Sequence, residues 1–411
     1  MNNIAGILNF AIYWLIILIP FSMAIAPAPM NVFMGLLIFT YMLKKILQRE
    51  WPIPKTAINI PLLFFFAITC LSVINSVNFK DTFKGGILRL LSFSFVFLIL
   101  SCELKDKKHL KKIFFSCVAG LLLASIDGIW QVSAGKDFIR GYLPVVNFGL
   151  VRATASFSDA NTLGIYLSAL SPLLFGLTLY YLKGAKKAIF IFLSLAVIIA
   201  TALTYSRPTL LAIYLILFFL AIIKKDKALI AALIILTLVS PLLVPKSIKN
   251  WAREMNYNPL RLMCNDDRIA IYRNSLNMIK DHPIIGVGAN VFMKNYKRYK
   301  ESPEYNNVGT PDYIYAHNNF LHIAGELGLL GLGIFIWLLL NLFKECVNIY
   351  RRLEDKFLKV TSLSLAACLI AFLINGLTES SLYYSRLALI FWYLMGFSLG
   401  LKKFTYADKS R

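Results

Sequence analysis

Apolar residues fall into twelve long runs along this chain, separated by short polar connections and by one long polar segment. The runs lie near 4–19, 29–43, 58–78, 85–102, 113–133, 162–182, 188–205, 208–223, 228–244, 318–343, 358–377 and 386–401. Each holds close to the roughly 20 residues an α-helix needs to cross a hydrocarbon core of about 30 Å. Inside lipid, an open chain can satisfy its backbone only by forming helices. The pattern therefore predicts an all-α polytopic membrane protein with about twelve transmembrane helices. Composition agrees, with 58% hydrophobic and 16% charged residues, too apolar for an ordinary soluble domain. The first run has no small-residue cleavage pattern behind it and reads as a retained helix, not a signal peptide. The chain has no internal repeat and no low-complexity tract.

A formal charge of +22 raises the question of a nucleic-acid partner, and the placement of the cations answers it. More than half of the 43 Lys and Arg sit in alternate connections: Lys44, Lys45, Arg49 and Lys55; Lys105 to Lys112; Lys183, Lys186 and Lys187; Lys224, Lys225 and Lys227; Lys344 to Lys359; and the tail from Lys402. That is the positive-inside bias, which places both termini in the cytoplasm and excludes nucleic acid as the reason for the charge. The six cysteines, Cys70, Cys102, Cys117, Cys264, Cys346 and Cys368, are scattered and form no disulfide framework or metal motif.

Three regions follow. Residues 1–244 carry spans one to nine, 245–316 form one long outer loop, and 317–411 carry spans ten to twelve and a short tail. Loops of that length are usually functional. Within the loop, Ile269, Tyr272, Leu276 and Ile279 recur at helical spacing behind a possible Asp267 cap, which predicts an amphipathic helix lying on the outer membrane face. A second, basic helix is expected around Asn290 to Arg298.

The tenth run opens with "HNNFLHIAGELGLLGLG", His317 to Gly333, a polar head on an apolar helix. Helical spacing groups Leu321, Ala324, Gly328 and Gly331 on one stripe, and His322, Glu326, Leu329 and Gly333 on another. The glycines read as packing positions that let neighbouring helices approach. His317, at the last outside residue, is placed to act as a general base on a polar substrate anchored in lipid. His317 and His322 make a poor metal pair because i,i+5 faces diverge, and Glu326 is expected to hydrogen-bond His322. In "TYSRPTLLA" the proline after Arg207 suits the first turn of a helix. Arg207 beside that N-terminus makes an anion site.

His317-Asn318, nine residues, Gly328, two residues, Gly331 resembles the signature of the O-antigen ligase family, membrane glycosyltransferases of GT-C architecture. The resemblance extends to span number and to the long loop between spans nine and ten. It implies transfer of a glycan from undecaprenyl pyrophosphate to a lipid A–core acceptor, with inversion, at the periplasmic face of a bacterial inner membrane. It also implies Arg207, Arg268 in "DRIAIY" and His317 as the catalytic residues, with Arg152 in "VRATASFSDANTLG", Arg89, Tyr272 and Asn318 at the substrate. No cofactor is expected: Asp266, Asp267 and Asp281 form no DxD-like metal pair, and arginines would carry the charge on the leaving pyrophosphate. Asp127 and Arg386 have no assigned role, and His282 and His109 are expected to lie outside the chemistry. Three rivals stand beside this reading: an O-antigen polymerase, which usually has two large outer loops; a protein O-oligosaccharyltransferase, expected to be longer and to carry extra soluble sequence; and a transporter, expected to show broken helices and paired polar residues near mid-membrane.

The topology is testable with a reporter active only outside the cytoplasm. Fused at Asn306 it is expected to give signal, and at Lys108 none; the reverse pattern would put the site on the cytoplasmic side.

Overall fold

The computed structural model describes residues 2–49, 56–147, 149–243, 253–254, 256, 258, 266–301 and 314–405. Much of the expected outer segment, including Cys264, Asn306 and the approach to Ile314, lies outside the described residues, as do Lys55 and the tail beyond 405.

All twelve apolar runs are helical. In chain order the helices are α1 (Asn2–Ile25), α2 (Pro27–Gln48), α3 (Asn59–Leu71, continued by a 3-10 turn to Asn75), α4 (Phe79–Glu103), α5 (Lys107–Ala134), α6 (Ala160–Tyr180), α7 (Gly184–Leu203), α8 (Arg207–Lys224), α9 (Lys227–Leu243), α10 (Asp266–Asp281), α11 (Phe292–Tyr296), α12 (Asn319–Arg352), α13 (Lys356–Asn375) and α14 (Ser385–Gly400). Ten of the twelve are long and apolar enough to cross a membrane, whereas Asn59–Asn75 and Lys227–Val239 are apolar but shorter. The protein is thus an all-α, multi-pass membrane protein. Among the described residues the only strands are β1 (Val145–Asn147) and β2 (Leu150–Arg152), a small antiparallel hairpin.

Short polar side chains start the helices where the apolar runs begin. Asp106, Asp159 and Asp355 accept the backbone N–H groups of His109 (2.7 Å), Thr162 (2.8 Å) and Leu358 (3.0 Å) at the heads of α5, α6 and α13. α6 lies at the centre, packed against α5, α7, α8 and α13, and α14 fills the gap between α4 and α13. Asn375, buried at the end of α13, ties three helices together: its amide donates to Ser168 Oγ (3.0 Å) and accepts from Thr209 Oγ1 (3.1 Å).

Two expectations need correction. α12 is not one rod, because at Gly328 the backbone turns to φ 70°, ψ −177°, so the head 319–327 departs from the shaft 329–352 and the two predicted stripes do not run through. The break is filled by the loop after α10. Leu329 N–H donates to Pro283 O (2.7 Å), and the N–H groups of Val287 and Gly288 donate to Gly325 O and Glu326 O, both at 3.0 Å. A Cβ at Gly328 would stand 2.1 Å from Ile284 O, whereas at Gly333 it would meet nothing within 4 Å. Gly328 thus admits a loop, and Gly333 faces open space.

The second correction concerns α10, which starts at Asp266, so Asp267 lies in its first turn. The helix packs against α12. Its buried face is Ala270, Ile271, Asn274, Ser275, Met278 and Ile279, and Leu276 points out, so the face is rotated from the expected stripe. α11 falls inside the predicted basic segment.

Gly328→Ala combines a left-handed φ with a backbone clash, and strain alone should cost about 1–3 kcal/mol. Its thermal midpoint in detergent is expected to fall clearly, while Gly333→Ala, at an open helical position, holds or rises; equal midpoints for the two variants would refute the assignment of the break.

Candidate active site

The three polar residues that open α12 do three different things. Asn318 is the N-cap: its Oδ1 accepts from Phe320 N–H (2.8 Å) and Leu321 N–H (3.0 Å), and its Nδ2 donates to Leu377 O (3.0 Å). Asn319 is buried and grips the α13–α14 connection. Its N–H donates to Gly376 O (2.7 Å), its Nδ2 to Ser381 Oγ (2.8 Å), and its Oδ1 accepts from Leu382 N–H (3.0 Å). The two asparagines therefore fix residues 376–382 against the α12 head. That leaves His317, held at φ 47°, a conformation non-glycine residues adopt rarely and mostly under local constraint. Tyr272 of α10 supplies part of the constraint by donating to His317 O (3.1 Å).

Glu379, on the gripped connection, is the residue everything faces. Its Oε2 lies 2.7 Å from His317 Nδ1, and its Oε1 accepts from Asn161 Nδ2 (2.9 Å) and is ion-paired with the Arg268 guanidinium. Asn161 in turn accepts from Arg152 (2.9 Å), whose Nε donates to Thr204 O (2.8 Å). That carbonyl belongs to the turn that starts α8 at Arg207, and Tyr205 in the same turn is also left-handed, at φ 50°. Residues from α6, the α7–α8 turn, α10, α12 and the α13–α14 connection thus meet at one end of the bundle. The Glu379 side chain is nearly buried, whereas that of His317 keeps 22% of its surface open.

Burial by itself raises the Glu379 carboxyl, but the His317 hydrogen bond and charge, the Arg268 charge and the Asn161 amide outweigh it and hold the group below the usual carboxylate range. In the neutral form of the ring, an Nδ1 engaged by a carboxylate carries the proton and leaves Nε2 as the basic nitrogen.

Arg268, His317 and Arg152 are brought together around Glu379, whereas Arg207 is exposed in the first turn of α8, three residues after the Thr204 carbonyl that Arg152 holds. The other expected site residues are placed differently. The amide groups of Asn318 are occupied by the cap, and the Tyr272 hydroxyl addresses the His317 backbone. Arg89 donates to Tyr383 O (2.8 Å) and faces the Phe93 ring. There it borders a mostly apolar cleft lined by Phe65, Phe93, Phe335, Trp392, Asn290 and Glu326. His322 is fully buried in that second cluster, stacked on Tyr383 (3.4 Å between ring centres), 3.0 Å from Ser380 Oγ and 3.4 Å from the expected partner Glu326. Glu326 also accepts from Phe292 N–H (3.0 Å). Arg386 anchors Ser156 O (2.9 Å), Asp127 accepts from Phe138 N–H (2.9 Å), and His109 stacks on Tyr13, giving each a packing role. Among the described residues no group of three His, Cys, Asp or Glu could hold a metal ion.

Sequence reasoning missed Glu379, Asn161 and Asn319. One signal was available: Glu379 is the only acid between Asp355 and Asp408, and an ionisable residue beside a span is expensive unless it has a task.

A family model described as O-antigen ligase matches residues 189–336. The match contains Arg207, Arg268, Tyr272, His317 and Asn318 and stops short of Glu379. No curated protein matches.

Because the folded state holds Glu379 ionised, its contribution to stability is fully present above the carboxyl's ordinary 4.5 and is lost as pH falls through the lowered folded value. Thermal midpoints measured from pH 7 down to pH 3 should therefore drop more steeply for the wild type than for Glu379→Gln, and parallel curves would show that the carboxylate is not held this way.

Proposed function

We propose, for a chain whose residues 189–336 match a family model described as O-antigen ligase, that the Glu379-centred cluster transfers a glycan from undecaprenyl pyrophosphate to a lipid A–core sugar at the periplasmic face of the inner membrane. The family makes the protein a membrane enzyme of the ligase and polymerase superfamily, handling lipid-linked glycans. The donor, acceptor and mechanism are our reading of the geometry. The observation that carries it is the 2.7 Å contact between His317 Nδ1 and Glu379.

In this reading Glu379 fixes the tautomer, and His317 Nε2 takes the proton of the acceptor hydroxyl as its oxygen bonds to the anomeric carbon. The bond from that carbon to the pyrophosphate breaks on the opposite face, the electron pair leaves with the pyrophosphate, and the centre inverts. The imidazolium formed is stabilised by Glu379, which accounts for a buried acid beside the base. Arg207, Arg268 and Arg152 offer fixed planar cations to the departing phosphates. Transfer needs no cofactor.

His317→Ala is expected to insert and fold normally but to lower transfer by roughly 10²-fold or more. Arg207→Lys keeps the charge and loses the two-pronged geometry, with an expected deficit of about 2 to 4 kcal/mol in transition-state stabilisation. Turnover from a polyprenyl-pyrophosphate donor should persist in excess EDTA. Near-normal turnover in His317→Ala would sink the base assignment, and loss in EDTA restored by Mg²⁺ would sink the arginine clamp. Glycan transferred only to free glycan or to protein, with none on lipid A–core, would reassign the acceptor.

A further inference from the structure

The β1–β2 hairpin makes no sense as a water-facing loop. Its register pairs Val146 with Val151 and Asn147 with Leu150. Directly paired residues share a face and successive ones alternate. Val146 and Val151 therefore lie on one face, and Val145 and Leu150 on the other. All four are exposed, Val146 at 68% and Leu150 at 43%. A protein partner lying flat on the hairpin would cover one face only, whereas lipid chains surround both.

Two further observations fix the surroundings. Phe115, Ile126 and Trp130 form an exposed apolar stripe on α5, and it continues past the helix end into exposed Phe138 and Leu143, so the hairpin extends the surface that the spans turn to lipid. Its base is level with the end of a spanning helix: Ala153 N–H donates to Leu203 O (2.9 Å), the last residue of α7, and Arg152 Nε to Thr204 O (2.8 Å). The base is also rigid. Gln131 Oε1 accepts from Thr154 N–H (2.7 Å) and Ala155 N–H (2.8 Å), and Asp137 Oδ1 from Ile139 N–H (3.0 Å) and Arg140 N–H (2.6 Å). The exposed valines are held where they are and do not await a core.

We propose that the hairpin is a membrane-inserted paddle, seated in the interfacial region of the leaflet at the His317 end of the bundle, with lipid on both faces. A two-stranded ribbon has unpaired edge N–H and C=O groups, which the hydrocarbon core does not tolerate, so it sits at the boundary of head groups and chains, about 5–10 Å deep like other interfacial elements. Arg152, at the end of β2, is thereby held at head-group depth while hydrogen-bonded to Asn161.

The test places the photo-crosslinking residue p-benzoylphenylalanine at Val146 and, separately, at Leu150, one on each face, with Lys280 on exposed α10 as the comparison site. The full-length protein is irradiated in vesicles of phosphatidylethanolamine and phosphatidylglycerol, and adducts are read by mass spectrometry and gel. Lipid adducts several-fold above the Lys280 level at both positions are expected. A cross-linked dimer at either position would make a second copy the occupant, adducts at one position alone would mean a hairpin lying flat, and adducts no higher than at Lys280 would put it in water; each would overturn the proposal.

Discussion

One buried carboxylate organises this end of the molecule. An ionised Glu379 without partners would cost several kcal/mol inside the protein, and each hydrogen bond to a charged group returns about 1.5–3 kcal/mol. The offsetting groups, His317, Arg268 and Asn161, come from three segments far apart in sequence. Folding cannot satisfy Glu379 without assembling them, so the requirement that stabilises the native state also sets the chemical arrangement. His317 is held from both ends, by Tyr272 at its carbonyl and by Glu379 at its ring.

The broken helix is the second constraint. An unbroken α12 would leave no room for residues 283–288 between its head and α3. The break at Gly328 opens that space and exposes backbone groups that the loop then satisfies. The same loop is pinned on its other side, where Asn75 Nδ2 donates to Gly286 O (2.9 Å), Thr82 Oγ1 to Ala289 O (2.8 Å) and Ala289 N–H to Ser72 Oγ (3.1 Å). α10 packs directly on the α12 head, which carries Arg268 to Glu379 in one rigid piece.

The spans were legible because lipid leaves a chain few options, and twelve apolar runs gave twelve helices. The polar head of α12, the arginine at the α8 turn and the two loop helices were also readable, since each rests on local chemistry: a cap, a proline, a helical period. What escaped was non-local. Gly328 sits in the same sequence pattern whether it packs a helix or breaks one, and only the arrival of residues 283–288 decides. The buried face of α10 was misplaced because the helix meets protein, and Asn274 and Ser275 are buried on polar partners that periodicity does not register. Glu379 was passed over because its one signal, a lone acid beside a span, names no partner; its meaning comes from groups more than sixty residues away in sequence. Arg89, equally basic and equally near a span end, holds the Tyr383 carbonyl and not Glu379, a difference that local pattern does not reveal.

If the Glu379 carboxylate sets the tautomer and position of His317 and holds Arg268, removing its charge while keeping its shape must disable transfer without unfolding the protein. The most direct measurement is single-turnover transfer by Glu379→Gln from a polyprenyl-pyrophosphate donor to purified lipid A–core, with size-exclusion behaviour recorded on the same sample. The account predicts a monodisperse protein with transfer reduced on the order of 10²-fold, the scale of losing an oriented base. A monodisperse variant that transfers at the wild-type rate would contradict it.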